Sequence, residues 1–165
     1  MSATILESPP SARHAGTRRN RALIAGGAFS LTFALFQASA VFWPTRWIAA
    51  LGGPVELSRT KPVLYAALCL VIALVVAACG VYALSGAGVL RRLSGVRTVV
   101  TATTAVYLVR GLLLVPQLPV LARHPEAWRF GAFSVIALAV GVVHLVGTIR
   151  LYRGGRTALG ATGGR

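Results

Sequence analysis

The sequence predicts an all-α fold, a bundle of four transmembrane helices. Three observations indicate it: 56% of the 165 residues are hydrophobic, only 12% are charged, and the apolar residues gather into four blocks. A soluble domain carries about 25% charged residues. Each block is close to the roughly 20 residues that an α-helix needs to cross the hydrocarbon core of a bilayer. We therefore expect spans at residues 22–42, 63–84, 98–115 and 130–149.

The segments that flank these blocks predict two tails around a single membrane domain, residues 22–152. Residues 1–21 are polar, contain Ser and Pro, and end in basic residues, which is typical of a disordered tail. The first apolar block ends in "ASA", which resembles a signal-peptide cleavage site. Because the block is long enough to span and three more follow, we expect it to be retained; cleavage is the alternative. The Gly-rich residues 153–165 are predicted to be a flexible tail.

The net charge of +14 comes from 17 basic and 3 acidic residues. Such a charge in a soluble chain indicates nucleic acid, but here the basic residues lie between apolar blocks, so nucleic acid is not a predicted partner. We expect contacts with anionic membrane lipids instead. Eleven basic residues lie in the first, third and fifth non-membrane segments and five in the other two. The positive-inside rule then places both termini in the cytoplasm.

The localisation follows from the same residues. Sixteen of the 17 basic residues are arginine, and Ala, Gly and Val are abundant, which is typical of a GC-rich bacterial genome. The predicted topology also puts all three tryptophans at the outer interface, where amphipathic rings are enriched. We therefore predict a multi-pass protein of the bacterial inner membrane.

The outer connection between the first two spans, residues 43–62, is longer than a simple turn. Its segment "WPTRWIAALGGPVEL" has a short apolar middle, bounded by Pro44 and by Gly52-Gly53-Pro54. Proline and glycine end regular structure on both sides. We expect one short helix lying along the outer surface of the membrane.

The inner connection after the second span, "YALSGAGVLRRL", predicts a contact with lipid headgroups. Gly86 and Gly88 can terminate the helix. Free backbone N–H groups at this turn, together with Arg91 and Arg92, can then hold a lipid phosphate. A tight turn that serves only as a basic anchor is the alternative.

Each span carries a stripe of small or polar residues at helical spacing, so its members share one face. Small residues let membrane helices approach closely, and hydroxyl groups form hydrogen bonds across the contact. We expect the stripes to face one another in a compact bundle with little room for a wide pore. The stripes are Gly27, Ser30, Ala34 and Gln37; Ala66, Cys69, Ala73, Ala77 and Gly80; Thr103, Tyr107 and Arg110; and Ser134, Ala137, Gly141, His144 and Thr148.

Arg110 places a full positive charge inside the third block, and none of the four blocks contains an acidic residue. It lies five residues before Val115, so it is ~7–8 Å below the predicted outer end of its helix. One interpretation is therefore a side chain that extends to the outer headgroups. A second is a polar cluster at the outer ends of the spans. A third is an anionic ligand held by the guanidinium group.

The polar cluster draws on residues predicted to lie at the same level as Arg110. Glu56 belongs to the outer connection, Gln37 and Tyr65 lie near the outer ends of their spans, and Tyr107 shares a face with Arg110. An ion pair between Glu56 and Arg110 would tie the outer connection onto the bundle. All three interpretations put Arg110 in the outer half of the membrane.

The sequence predicts no catalytic or metal-binding site. No nucleophile–base pair, acid pair or set of metal ligands is visible, so we expect neither an enzyme nor a cofactor nor a metal. His144 is the single histidine inside a span, and we expect it to form a hydrogen bond with a neighbouring helix. A proton relay usually needs acidic residues within the membrane, and the three glutamates lie outside the spans.

Two stretches, "VYALSGAGVLRRL" and "AVYLVRGLLLVP", resemble a group of small bacterial inner-membrane proteins with four spans. The resemblance covers residues 42–150, although such relatives often have proline where this chain has Ser94. It implies four spans and no particular reaction, substrate or cofactor.

Two functional hypotheses follow. The first is a structural or accessory protein that contacts lipid and a membrane partner, or a second copy of itself, through its small-residue faces and basic inner loop. The second is a small carrier or binding protein for an anionic or quinone-like ligand near Arg110. A pocket beside Arg110 favours the second, and co-purification with a larger complex favours the first.

Overall fold

A computed structural model describes residues 19–124 and 128–160, with side chains as far as Gly154. Residues 1–18 of the predicted disordered tail lie outside the described residues. All the regular elements of the described residues are helical. They are α1 (Arg21–Ser39), a 3₁₀ turn (Ala40–Phe42), α2 (Thr45–Ala50), α3 (Val55–Thr60), α4 (Pro62–Gly86), α5 (Val96–Leu112), α6 (Leu114–Arg123) and α7 (Trp128–Gly160).

The predicted all-α fold with four spans is confirmed. Four stretches are long and apolar enough to cross a membrane: Arg21–Phe42, Pro62–Gly86, Val96–Arg123 and Trp128–Gly154. Their outward faces carry large aliphatic side chains, such as Leu74, which is 70% exposed. This is the architecture of a multi-pass membrane protein. The cytoplasmic placement of the termini stays a prediction.

Three boundaries differ from the sequence-based expectation. The third span continues past Val115 as α6, because Pro116 falls in the first turn of α6, where a missing N–H costs nothing. Helix α7 extends to Gly160 instead of ending before residue 153, since glycine weakens a helix without excluding it. The outer connection forms two helices, α2 and α3, separated at Gly52, whose φ of 77° breaks the helical path.

The spans associate as two close pairs, α1 with α4 and α5 with α7. In the first pair, a Cβ atom on Gly27 would lie 2.9 Å from the Gly80 carbonyl oxygen, and one on Gly80 would lie 3.0 Å from the Gly27 oxygen. In the second pair, a Cβ on Gly111 would lie 2.5 Å from Leu138 Cα. The small residues therefore pack the helices within each pair backbone to backbone.

The two pairs meet at one end of the bundle, which we call the basic end. It comprises the start of α1, the α4–α5 connection and the last turns of α7. Here the Asn20 amide donates a hydrogen bond of 2.7 Å to the Gly147 carbonyl, and Leu23 is fully buried against Gly147. Its described basic residues are Arg19, Arg21, Arg91, Arg92, Arg97, Arg150 and Arg153.

At the opposite, capped end, α2 and α3 pack onto the first pair of helices. Ile48 of α2 is buried in one cluster with Ala40, Tyr65 and Cys69. The two ends thus differ in construction. At the basic end the pairs touch directly, and at the capped end a short helical segment lies over them.

The backbone contact at Gly111 predicts a specific stability difference. Gly111→Ala should lower the free energy of unfolding by about 1–3 kcal/mol, because its methyl group would overlap the main chain of Leu138. Thermal unfolding in mild detergent measures the change. Gly154→Ala is the matched control, since nothing lies within 4 Å of the added Cβ and alanine favours a helix. Equal melting temperatures for the two variants would contradict this packing.

Candidate functional site

A cavity of about 490 Å³ lies between the two helix pairs in the half of the bundle nearer the capped end. All four spans and the α2–α3 segment contribute to its walls. Most of the side chains that line the cavity are apolar, and only a few of them carry a polar or charged group. The spans contribute Phe29, Phe33, Phe36, Gln37, Tyr65, Leu68, Cys69, Ile72, Val106, Tyr107, Arg110, Phe133, Ile136 and Ala137.

One wall of the cavity is aromatic. Phe29, Phe33 and Phe36 follow one face of α1, with centroid separations of 6.3 Å and 6.0 Å between successive rings. Trp43 stands edge-on to Phe36 at 4.8 Å. The spacing of three and four residues puts these rings on one side of the helix. They present a broad apolar surface to the interior of the cavity.

Arg110 lies at the edge of this cavity, and a hydrogen bond to α7 fixes its position. Its Nη1 donates a hydrogen bond of 2.7 Å to Ser134 Oγ on α7. Ser134 Oγ lies 2.8 Å from Gln117 Oε1 and 3.0 Å from the Phe130 carbonyl oxygen, so its single proton points toward these two acceptors. The serine oxygen is thereby oriented to accept from the guanidinium group.

The position of Ser134 shows how deep the charge lies. Ser134 is completely buried and follows Trp128, the first residue of α7, by six residues, which corresponds to about 9 Å along a helix axis. Arg110 itself is half-buried. Its guanidinium group therefore extends sideways onto α7. This differs from the interpretation in which the side chain extends to the outer headgroups.

Four of the five residues in the predicted polar cluster line the cavity: Gln37, Tyr65, Tyr107 and Arg110. The expected partner of the arginine is different, however. Glu56 is exposed on α3, and its carbonyl accepts from the Thr60 hydroxyl. Within the described part of the chain, Arg110 has no ion pair with Glu56 and bonds to Ser134 instead. Glu56 lies on the exposed face of α3, whereas Leu57 of the same helix lines the cavity, which accounts for the difference.

Tyr107 forms the inner boundary of the cavity and connects it to a buried polar core. Its hydroxyl lies 3.1 Å from the Ser30 hydroxyl on α1. Its ring stacks on His144 with centroids 5.3 Å apart. His144 is completely buried, and its Nδ1 donates to the Val140 carbonyl at 3.0 Å. This core links the two helix pairs midway along the bundle.

His144 packs against α1 at a glycine. A Cβ on Gly26 would lie 2.5 Å from His144 Cε1, so only glycine leaves room for the ring. Nε2 of His144 and the Thr103 hydroxyl are buried without a hydrogen-bond partner among the described residues. Those residues also contain no group of three His, Cys, Asp or Glu side chains that could hold a metal ion.

The α2–α3 segment closes the cavity at the capped end. Ile48, Gly52 and Leu57 line the cavity from above. Arg129, at the start of α7, donates through Nη1 to the Ala49 and Ala50 carbonyls at 3.2 Å and 2.7 Å. These are the last carbonyl groups of α2, which have no partner within the helix. Arg129 therefore attaches the covering segment to the second helix pair.

At the basic end, the turn after α4 differs from the predicted phosphate site. The N–H groups of Gly88 and Val89 donate to carbonyl oxygens of α4, and Leu93 N–H donates to Ser85 Oγ at 3.0 Å. These donors are thus satisfied within the chain. Gly88 has a φ of 75°, as a turn residue requires, and Gly86 packs against Val96. Exposed Arg91 and Arg92 remain available for a headgroup.

Sequence reasoning did not identify two residues that hold the arginine. The sequence indicates Ser134 only as part of a stripe of small residues, and Gln117 lies beyond the predicted end of the third span at Val115. A helical reading of the segment after Val115 would have put Gln117 on α6, near the start of α7. The apolar residues of this segment are compatible with a helix, but Pro116 and Pro119 argue against one in a prediction from sequence.

The hydrogen bond from Arg110 to Ser134 predicts a coupling that can be measured with a double-mutant cycle. Arg110→Ala and Ser134→Ala should be non-additive in thermal stability by about 0.5–3 kcal/mol. Arg110→Ala and Glu56→Ala form the control cycle and should add, since Glu56 makes no contact with Arg110. Coupling in the Glu56 cycle and additivity in the Ser134 cycle would contradict the observed geometry.

The chain matches no protein-family model, no curated protein and no solved structure. The resemblance to small bacterial inner-membrane proteins therefore stays a prediction.

Proposed function

We propose that the chain is a non-enzymatic protein of the bacterial inner membrane that binds a membrane-soluble ligand between its two helix pairs. The ligand class expected from the sequence, an anionic or quinone-like molecule, fits the cavity beside Arg110. The observation that carries this proposal is the combination of an aromatic, largely apolar cavity with one guanidinium group at its edge.

The size and lining of the cavity support a binding role. Ligand pockets typically measure roughly 300–1,000 Å³ and combine apolar walls with a few polar groups that orient the ligand. At about 490 Å³ this cavity falls within that range. Protein interiors otherwise pack closely and leave few voids larger than a water molecule. This space is partly open at the surface of the bundle, and its size leaves room for a ligand between the helix pairs.

The accessory role receives less support from the packing. It relied on small-residue faces being free for a partner, but Gly27, Gly80, Gly111 and Gly141 contact neighbouring helices of the same chain. What remains on the outside are large aliphatic side chains, which suit lipid. The basic end still fits anionic headgroups on the cytoplasmic side, and this contact is compatible with the binding role.

Native mass spectrometry of the protein extracted in mild detergent tests the proposal. The wild type should retain a discrete small mass. Ile72→Trp should lose it, because Ile72 lines the cavity and the larger side chain occupies ligand space. Leu74→Trp is the matched control, since Leu74 lies on the same helix, is 70% exposed and is not part of the lining.

The outcomes separate the functional classes. A small mass retained by the wild type and the Leu74→Trp variant, but lost from Ile72→Trp, supports binding in the cavity. A bare protein in all three samples contradicts it. A larger protein complex that all three variants retain, with no small mass, would instead favour the accessory role.

A further inference from the structure

We infer that the ligand of this cavity is an amphiphile with an anionic head and an apolar chain, the head held by Arg110 and the chain lying among the aromatic side chains of α1. The inference rests on the proposed function and narrows it. It chooses the anionic ligand over the neutral, quinone-like one.

The charge balance around Arg110 carries the first step. An arginine stays protonated at all physiological pH values, and a charge taken from water into an apolar region costs several kcal/mol unless it is compensated. The hydrogen-bond partner of Arg110 is the neutral Ser134 hydroxyl. The described residues that line the cavity include no acidic side chain. The positive charge is therefore not neutralised by the described part of the protein.

The donors available at Arg110 carry the second step. A guanidinium group has five N–H donors in a planar fork that matches a carboxylate or phosphate. Among the described residues the guanidinium group makes one hydrogen bond, to Ser134, which fixes it on the α7 side. The side chain also lines the cavity. An anionic head placed in the cavity can thus accept the remaining donors and compensate the charge at the same time.

The rest of the cavity determines what is attached to the head. Beyond Arg110 the walls are formed by the Phe29–Phe33–Phe36 face and by aliphatic side chains of the other spans, which suit an apolar chain. A small hydrophilic anion would leave this surface without a partner. The apolar chain of the ligand would contact the aromatic rings in place of a membrane lipid or water.

The cavity is open toward the membrane between α4 and α5. Leu68 and Ile72 of α4 and Val106 of α5 line the cavity and are 45%, 47% and 68% exposed, respectively. These side chains belong to spans that face the hydrocarbon of the membrane. A membrane lipid or fatty acid can therefore reach the cavity sideways, without crossing the covering α2–α3 segment.

A neutral quinone-like ligand fits this site less well. Its carbonyl oxygen can accept a hydrogen bond from the guanidinium group, but it leaves the positive charge uncompensated. An anionic head can instead pair with the guanidinium group through two parallel charge-assisted hydrogen bonds. The preference we expect, roughly ten- to hundredfold in affinity, corresponds to about 1.4–2.8 kcal/mol. The electrostatics thus favour the anion by a measurable factor.

Tryptophan fluorescence provides the test, because Trp43 lines the cavity. The full-length protein, freed of co-purified lipid, is titrated in mild detergent with bromine-labelled palmitate, whose bromine atoms quench nearby tryptophan. The matched neutral probe is bromine-labelled hexadecanol, and decylbenzoquinone and inorganic phosphate serve as competitors. Alkaline pH keeps the carboxyl group of palmitate ionised.

We expect the wild type to bind palmitate roughly ten- to hundredfold more tightly than hexadecanol. Arg110→Gln should remove this preference by lowering the affinity for palmitate far more than the affinity for hexadecanol, whereas Arg110→Lys should retain part of it. If Arg110→Gln does not fold, the wild-type comparison of palmitate with hexadecanol and the Arg110→Lys variant still decide the question.

Three results would overturn the inference, and they differ in what they leave standing. Equal binding of palmitate, hexadecanol and the quinone means that the cavity takes neutral ligands, so the proposed function survives without the anionic head. Full displacement of palmitate by inorganic phosphate removes the requirement for a chain. Failure of every probe to bind contradicts the proposed function itself.

Discussion

Arg110 carries a full charge at a depth where the described residues supply only neutral partners, and the rest of the bundle is arranged around this constraint. Ser134 and Gln117 position the guanidinium group through hydrogen bonds without neutralising it. In hydrocarbon such a charge needs water, an anion or both. The cavity beside it provides the space for one, and we propose that its aromatic wall accommodates an apolar chain.

The cavity is a consequence of where the chain has small residues. Gly27 and Gly80 bring α1 against α4, and Gly111 brings α5 against α7, so each pair is close along its seam. Between the pairs, the close contacts lie toward the basic end, where Leu23 reaches Gly147, and at the Ser30–Tyr107 hydrogen bond. Large aromatic side chains on α1 hold the space open beyond that point, and α2 and α3 cover it.

Sequence reasoning recovered the class of fold because hydropathy over about 20 residues reflects a strong physical requirement. It also placed Gln37, Tyr65, Tyr107 and Arg110 at one level, where they line one cavity. It paired Arg110 with Glu56 because opposite charges on the same side of a membrane suggest a contact. The actual partner, Ser134, depends on which faces of α5 and α7 meet, and periodicity does not specify that pairing of helices.

The most direct measurement of the central claim is a cryo-electron microscopy map of the protein purified in nanodiscs with its native lipids. The account predicts an elongated density in the cavity, with one end within hydrogen-bond distance of Arg110 and the remainder along Phe29 and Phe33. A map in which the guanidinium group extends to the membrane surface, with side chains filling the space between the helix pairs, would contradict it.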